Sequence, residues 1–200
     1  MRTTFAALTS TLLLSCAINI SAQTAAPAKA ALCGACHGDA SGSRISNTPS
    51  LAGQPRVFLE NTLVLIRDGQ RDIPAMKGML DGVQDEELIE LSKYYAAMTL
   101  KDPGGKRDDK LYARGKEVSD QTRCATCHLS DFSGREQMPR LAFQRQDYLL
   151  QSLRDFRANK AVGRDSNMAA ALHGISDTDF QALAHYLSIG PNIGSNIAPK

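Results

Sequence analysis

The sequence lacks tryptophan altogether, and aromatic residues make up only 6% of its 200 residues. Its charges nearly cancel, with a formal net charge of +2 at pH 7, and no basic stripe of the kind that binds nucleic acid is present. Beyond residue 22 no apolar run is long enough to cross a membrane. No segment alternates apolar and polar residues convincingly, as a half-buried strand would. These absences disfavour a nucleic-acid-binding protein, an integral membrane protein and a β-sheet fold.

The first residues, "MRTTFAALTSTLLLSCAINISAQ", form the one strongly apolar segment. They begin with the charged Arg2, continue through an apolar stretch and end in the small residues Ser21 and Ala22. This order is typical of a secretory signal peptide, here residues 1–22, and it predicts export to the periplasm. A second interpretation stays open: "LLLSC" loosely resembles a lipoprotein signal, and a diacylated Cys16 would anchor the protein peripherally to the membrane.

Cysteine is scarce, and its placement is regular. Apart from Cys16, the four cysteines form two C-x-x-C pairs, each followed directly by histidine: "CGACH" at 33–37 and "CATCH" at 124–128. C-x-x-C-H is the attachment signature of a c-type haem. The two thiols add to the two vinyl groups at one edge of the porphyrin, and the histidine that follows binds the iron. The motifs therefore predict two covalent haem c groups.

In the first motif Cys33 and Cys36 are the predicted attachment sites and His37 is the predicted proximal ligand; in the second motif they are Cys124, Cys127 and His128. Zinc is the main rival, but structural zinc sites place two C-x-x-C units 15–20 residues apart. Here the pairs start 91 residues apart. A thioredoxin-like redox pair needs no following histidine and expects a βαβ context, which is not found.

The interval between the motifs is also the period of an internal repeat. The segment "TPSLAGQPRVFLENTLVLIRDG" (48–69) matches "MPRLAFQRQDYLLQSLRDFRAN" (138–159), and "MKGMLDGVQDEELIELSKYYAAM" (76–98) matches "MAAALHGISDTDFQALAHYLSIG" (168–190). Within these pairs Gln54 aligns with Gln144, and Tyr94 with Tyr186. Two similar domains are therefore predicted.

The repeated segments have helical periodicity. Apolar residues in 85–98 recur on one helical face, and acidic residues stand at its start. Helices are also predicted at 56–69 and 146–159, ending at Gly69 and Asn159, and Ser176 is the expected N-cap of the last helix. The fold class is thus all-α. The predicted organisation is a signal peptide at 1–22, a first domain at 23–102, a linker at 103–109, a second domain at 110–190 and a C-terminal tail at 191–200.

A low-spin electron-transfer haem needs a second axial ligand, and a methionine thioether raises its reduction potential relative to histidine. The repeat nominates Met76 and Met168, each eight residues before the start of the last helix of its domain. Met79 remains the alternative in the first domain, although its counterpart is Ala171. The remaining histidines, His173 and His185, have no histidine counterparts and are interpreted as surface or packing residues.

The motifs "CGACHG", "PSLAGQ", "MKGM" and "QDEELIELSKYYA", together with their second copies, resemble the dihaem cytochromes of the cytochrome c4 family. The resemblance implies two cytochrome c-type domains related by a pseudo-two-fold axis. It also implies a periplasmic electron carrier, not an enzyme, that works between a quinol-oxidising bc complex and a terminal oxidase. Two departures stand out: Leu129 replaces the usual glycine after the second motif, and "LAFQ" replaces "LAGQ".

Two other functions compete with the carrier. Cytochrome subunits of periplasmic dehydrogenases, such as flavocytochrome sulfide dehydrogenase, also resemble tandem cytochrome c domains. A dihaem enzyme, such as a peroxidase or thiosulfate oxidase, would need an open iron position, which methionine ligation at both haems would remove. In every case the expected partners are redox proteins, with no nucleic acid and no membrane insertion.

Overall fold

The computed structural model describes residues 26–191 and the backbone of a short strand at Asn196–Ile197. The predicted signal peptide, the possible lipid site at Cys16 and the rest of the tail lie outside the described residues. Within the described ranges, no helix has the length and apolar character that a membrane crossing requires.

The described chain is mostly helical, as predicted, and its helices fall into two similar units. The first unit contains α1 (Ala30–His37), α2 (Arg56–Arg67), a single 3₁₀ turn (Pro74–Met76) and α3 (Asp85–Ala96). The second unit contains α4 (Asp109–Gln121), α5 (Ala125–His128), α6 (Gln146–Arg157), α7 (Ser166–Ala171) and α8 (Asp177–Ile189). Helix α4 begins at the last residue of the predicted linker.

The helix ends follow local chemistry that the sequence shows. Gly69 and Asn159 both adopt left-handed backbone conformations just after α2 and α6, with φ of 69° and 53°, and such residues commonly end helices. The side chain of Ser176 accepts a hydrogen bond from the backbone N–H of Asp179 at 3.1 Å, which confirms it as the N-cap of α8.

Each unit buries its last helix against earlier ones. In the first unit α3 packs on α2, and the Tyr95 hydroxyl donates to the carbonyl oxygen of Ala30 at 3.0 Å, which fastens α1 to α3. In the second unit α8 packs on α4 and α6. Gly115 allows the closest approach of α4 to α8, because a Cβ at that position would lie 2.1 Å from the carbonyl oxygen of Ala182. The last helix of each unit is therefore the element on which its other helices pack.

A two-stranded antiparallel pairing joins β1 (Leu100–Lys101) to β2 (Asn196–Ile197), with Leu100 opposite Ile197. The sequence did not predict strands here, since two residues are too short to show alternation. The pairing ties the tail back to the end of the first unit.

The two units meet through a reciprocal pair of glutamines. The Gln144 side chain accepts from the Ser50 N–H at 2.8 Å and donates to the Ser50 carbonyl at 3.0 Å. The Gln54 side chain in turn accepts from the Arg140 N–H at 2.9 Å and donates to the Arg140 carbonyl at 3.0 Å. All four residues are at most 4% exposed. This arrangement, hereafter the amide clasp, relates the units by the pseudo-two-fold symmetry that the family resemblance implies.

Both sequence departures lie where the backbone is left-handed. Leu129 has φ of 68° where the first repeat has Gly38 at 73°, and Phe143 has φ of 58° where the first repeat has Gly53 at 67°. A bulky residue in this region costs about 1–2 kcal/mol. The Phe143 side chain offsets its cost by burial, since it is 5% exposed and belongs to the apolar cluster that includes Leu100 of the first unit. The second unit therefore keeps the backbone of the first and adds apolar contact between the units.

Candidate haem centres

Both motif histidines are oriented in the same way. The Nδ1 of His37 lies 2.8 Å from the carbonyl oxygen of Pro49, and the Nδ1 of His128 lies 2.8 Å from that of Pro139. A carbonyl oxygen can only accept, so each Nδ1 carries the proton and donates. The other ring nitrogen, Nε2, is then left with a free lone pair, which is the form that binds a metal.

Burial prepares both rings for this role. Desolvation lowers the pKa of His37 and of His128 below the usual value, and the hydrogen bond to the proline carbonyl only partly opposes it. Both rings are therefore neutral at pH 7. The Nε2 of His128 is fully buried and has no hydrogen-bond partner among the described residues. A buried nitrogen without a partner costs free energy, and coordination to a haem iron would supply the missing partner. The donor set thus fits the haem that the motif implies.

The cysteines flank the histidines as covalent attachment requires. In α1, Cys33 and Cys36 are one helical turn apart, with His37 next to Cys36, so the three side chains share one side of the helix. Cys124, Cys127 and His128 repeat the arrangement at α5. All four thiols are free; Cys33 and Cys124 are half-buried, whereas Cys36 and Cys127 are exposed. Each pair therefore presents one thiol toward the interior and one at the surface.

The nominated methionines lie in corresponding places, at the distal segment between the middle and the last helix of each unit. Met76 ends the 3₁₀ turn, and Met168 lies in α7, which Asp165 caps by accepting from the N–H of Asn167. Both methionines are half-buried, and Met168 packs against the cluster that contains Leu153 and Phe180. Met79 is also half-buried, three residues beyond Met76. Met79 therefore remains the alternative ligand in the first unit.

The two remaining histidines lie elsewhere. His173 is exposed. His185 is buried in α8, where its Nε2 accepts from the backbone N–H of Asp108 at 2.9 Å and its Nδ1 lies 3.2 Å from the side-chain oxygen of Gln146. His185 thus joins the start of α4 to α6 and α8 by hydrogen bonds. A cavity of 470 Å³ lies beside α1. Its lining includes Cys36, Arg44 and Tyr94 but neither His37 nor Met76, the expected axial ligands of the first haem.

Sequence reasoning missed Arg140, which is 1% exposed at the contact between the units. Its Nη1 donates to the carbonyl oxygen of Ala142, while Nε and Nη2 are buried without a hydrogen-bond partner among the described residues. Burial lowers its pKa to about 9, so the guanidinium still carries its charge at neutral pH. The internal repeat does not indicate a buried arginine here, because the aligned residue of the first unit, Ser50, is uncharged.

Replacing Arg140 by methionine should therefore stabilise the protein. The change removes a buried charge that no carboxylate of residues 26–191 offsets, and such replacements stabilise by about 1–4 kcal/mol in favourable cases. Urea unfolding of the holoprotein at pH 7 measures the difference. Arg145→Met serves as the control, because Arg145 already pairs with Asp147 at 2.6 Å and is partly exposed. A loss of stability in Arg140→Met would mean that the guanidinium has a partner that the account omits.

Comparison with known proteins identifies the family of this chain. The cytochrome c family model matches residues 112–189, the second unit. Cytochrome c4 of Pseudomonas aeruginosa is 31% identical over 172 residues, which cover 82% of this chain and 86% of that protein. The crystal structure of reduced recombinant cytochrome c4 from Pseudomonas stutzeri superposes with a TM-score of 0.73 at 30% identity, over 82% of this chain and 96% of that one. A thiosulfate dehydrogenase electron acceptor of Thiomonas intermedia is 28% identical, over 84% of this chain and 82% of that protein. The chain belongs to the cytochrome c4 family of electron carriers.

Proposed function

We propose that each unit binds one haem c and that the protein carries electrons between respiratory complexes in the periplasm. The observation that supports this most directly is the repeated histidine geometry: two rings, each held by a proline carbonyl at 2.8 Å, with the buried Nε2 of His128 left without a partner. In this proposal the haems attach at the four cysteines of the two motifs, and His37, Met76, His128 and Met168 are the axial ligands.

When bound, the haem iron supplies one-electron chemistry by alternating between the ferric and ferrous states. The protein side chains fix its ligation and its surroundings. The proline carbonyls hold the imidazoles in one tautomer, and apolar side chains such as Leu59 and Leu153 are buried beside the ligand-bearing segments. Because Cys36 and Cys127 are exposed, the thioether edge of each haem would lie at the surface, where a partner can exchange electrons.

Within this proposal the donor is a quinol-oxidising bc complex and the acceptor is a terminal oxidase. Saturated ligation by histidine and methionine suits a carrier, because no iron position remains for a substrate. The predicted signal peptide is consistent with work outside the inner membrane, where covalent haem attachment takes place.

A second candidate function is a dedicated electron acceptor or cytochrome subunit of a periplasmic dehydrogenase, such as flavocytochrome sulfide dehydrogenase. The similarity to a protein named as a thiosulfate dehydrogenase electron acceptor favours keeping it. Gel filtration of a native extract separates the two: a permanent subunit elutes together with a dehydrogenase, whereas a free carrier elutes at its own size.

The sixth ligand in the first unit can be identified by single substitutions. Met76→Ala should abolish the near-infrared methionine–ferric charge-transfer band of one haem and lower its reduction potential, because the thioether stabilises the ferrous iron. Met79→Ala should leave both properties unchanged. Visible and near-infrared spectra of the oxidised holoprotein, together with a redox titration, measure the effect.

In the second unit Met168→Ala should remove the band of the other haem. Its matched control is Met138→Ala, since Met138 lies outside the distal segment, next to Pro139.

Loss of the band in Met79→Ala, with Met76→Ala unchanged, would reassign the sixth ligand of the first unit. Loss in neither variant would contradict methionine ligation in the first unit.

A further inference from the structure

Arg71 is an unusual residue at the contact between the units. It lies in the distal segment of the first unit, five residues before Met76, and is 7% exposed. Burial lowers the pKa of this guanidinium, and the nearby Arg164 lowers it further, while the Tyr148 hydroxyl acts in the opposite direction. A buried arginine with a second arginine beside it is costly unless an anion is bound.

Arg164 and Tyr148 both belong to the second unit. The Nη2 of Arg164 lies 3.4 Å from the Tyr148 hydroxyl oxygen, and the Arg164 guanidinium also stands over the Phe156 ring at 5.2 Å. Arg71 lies near the same hydroxyl, and the interaction with Tyr148 raises the pKa of the Arg71 guanidinium against the effect of burial. Two guanidinium groups from different units therefore converge on a single hydroxyl oxygen, which cannot satisfy the ten N–H donors that two such groups carry between them, about five each.

No carboxylate of residues 26–191 lies within salt-bridge distance of Arg71 or Arg164. Another arginine at this contact does have such a partner: Arg145 pairs with Asp147 at 2.6 Å. The Arg71–Arg164–Tyr148 group, hereafter the interdomain arginine pair, thus has the donors of a carboxylate site but lacks the carboxylate.

The backbone holds this group in place. A Cβ on Gly163 would lie 2.7 Å from the carbonyl oxygen of Gln70 and 2.9 Å from the Cβ of Arg71, so the segment that precedes Met168 packs directly on the segment that precedes Met76. Gly163 has φ of 72°, which an L side chain rarely adopts. Both distal segments therefore meet at the arginine pair.

We propose that the interdomain arginine pair binds a propionate carboxylate of the haem in the second unit, so that Arg71 of the first unit helps to set the potential of the other unit's haem. The inference rests on the haem binding proposed above. A haem propionate is the carboxylate that this chemistry requires and that the folded chain itself does not provide. The second unit is assigned because Tyr148 and Arg164 both belong to it.

The test uses the holoprotein and the variants Arg71→Gln and Arg164→Gln, with Arg145→Gln as a control interface arginine that has its own carboxylate. Resonance Raman spectra of the ferrous protein report the propionate bending mode, which responds to hydrogen bonding at the carboxylate. A redox titration gives both potentials, and a Met76→His background identifies the first unit's haem, because histidine ligation lowers its potential. Haem content per chain is measured on every sample.

Arg71→Gln and Arg164→Gln should each shift the propionate mode. Each should also favour the ferric state of the second unit's haem by about tenfold at fixed ambient potential, which is 59 mV for one electron. The loss of a nearby positive charge favours the ferric state, which carries the additional positive charge. Arg145→Gln should change neither property. If Arg71→Gln does not fold, Arg71→Lys should keep the potential, because the charge remains, but shift the mode, because the planar fork is lost.

An unchanged propionate mode in both variants, with two haems per chain, would overturn this inference and leave the proposed function intact. A wild-type potential that depends on added phosphate at constant ionic strength would also overturn it, since the site would then bind a free anion. A wild-type chain without haem would overturn the proposed function itself.

Discussion

Replacing Cys124 and Cys127 together by alanine should leave one covalent haem per chain in place of the two that we propose for the wild type. The two motifs lie in separate units, and each supplies its own cysteines and histidine. The loss of one attachment site therefore has no direct effect on the other. The pyridine haemochrome assay on protein purified from a periplasmic fraction measures the ratio of haem to chain.

The paired variant at Cys33 and Cys36 is the matched control and should give the same ratio, with the surviving haem in the second unit. A single site shared by both cysteine pairs, as in a structural zinc site, would behave differently: either variant would remove all of the bound metal or cofactor. Equal halving supports two independent centres, whereas complete loss in both variants would contradict them.

Replacing Gln144 by methionine should lower the free energy of unfolding by about 2–6 kcal/mol, because the N–H and the carbonyl of Ser50 would each lose a partner at a cost of about 1–3 kcal/mol. Both groups are buried at the contact between the units, where Ser50 is 2% exposed. Methionine keeps the length of the side chain, so the loss reports the hydrogen bonds more than the packing. Urea denaturation of the holoprotein measures the change.

The control is Gln151→Met, since Gln151 lies nearby in the chain, in α6, but is exposed and bonds only to Asp155. It should change stability by less than about 0.5 kcal/mol. The pseudo-symmetric variant Gln54→Met should match Gln144→Met, because its side chain holds the N–H and carbonyl of Arg140. A loss below 1 kcal/mol in both variants, a threshold of about one hydrogen bond, would mean that the amide clasp adds little to the docking of the units.

The sequence alone predicted the parts of this protein that local chemistry determines. The helix ends at Gly69, Asn159 and Ser176 lie where their backbone and capping preferences place them. The covalent chemistry of a c-type haem requires cysteines and histidine in one short segment, so the motifs nominate both centres. The internal repeat then made the two-unit architecture readable, and family comparison bears it out.

The contact between the units was harder to predict, because it depends on residues about 90 positions apart. Gln54 and Gln144 were visible as an aligned pair, yet nothing in the sequence showed that each would bind the backbone of the other unit. Arg71 and Arg164 likewise stand in distal segments whose packing only the folded chain reveals. Arg140 is the least predictable, since a fully buried arginine runs against its ordinary preference for the surface.

The departures from the family pattern show the same limit. The sequence marked Leu129 and Phe143 as exceptions at positions where glycine is usual. Only the backbone angles explain why glycine is usual there, since both residues adopt left-handed conformations. Phe143 also shows why the exception is tolerated: its side chain is buried in the apolar cluster that includes Leu100 of the first unit.

A reductive titration of the wild-type holoprotein, followed by exposure to carbon monoxide, tests the central claim most directly. The account predicts uptake of two electrons per chain and no carbon monoxide adduct, because histidine and methionine occupy both axial positions of each iron. Uptake of fewer than two electrons, or formation of a carbon monoxide adduct at either reduced haem, would contradict a saturated two-haem carrier.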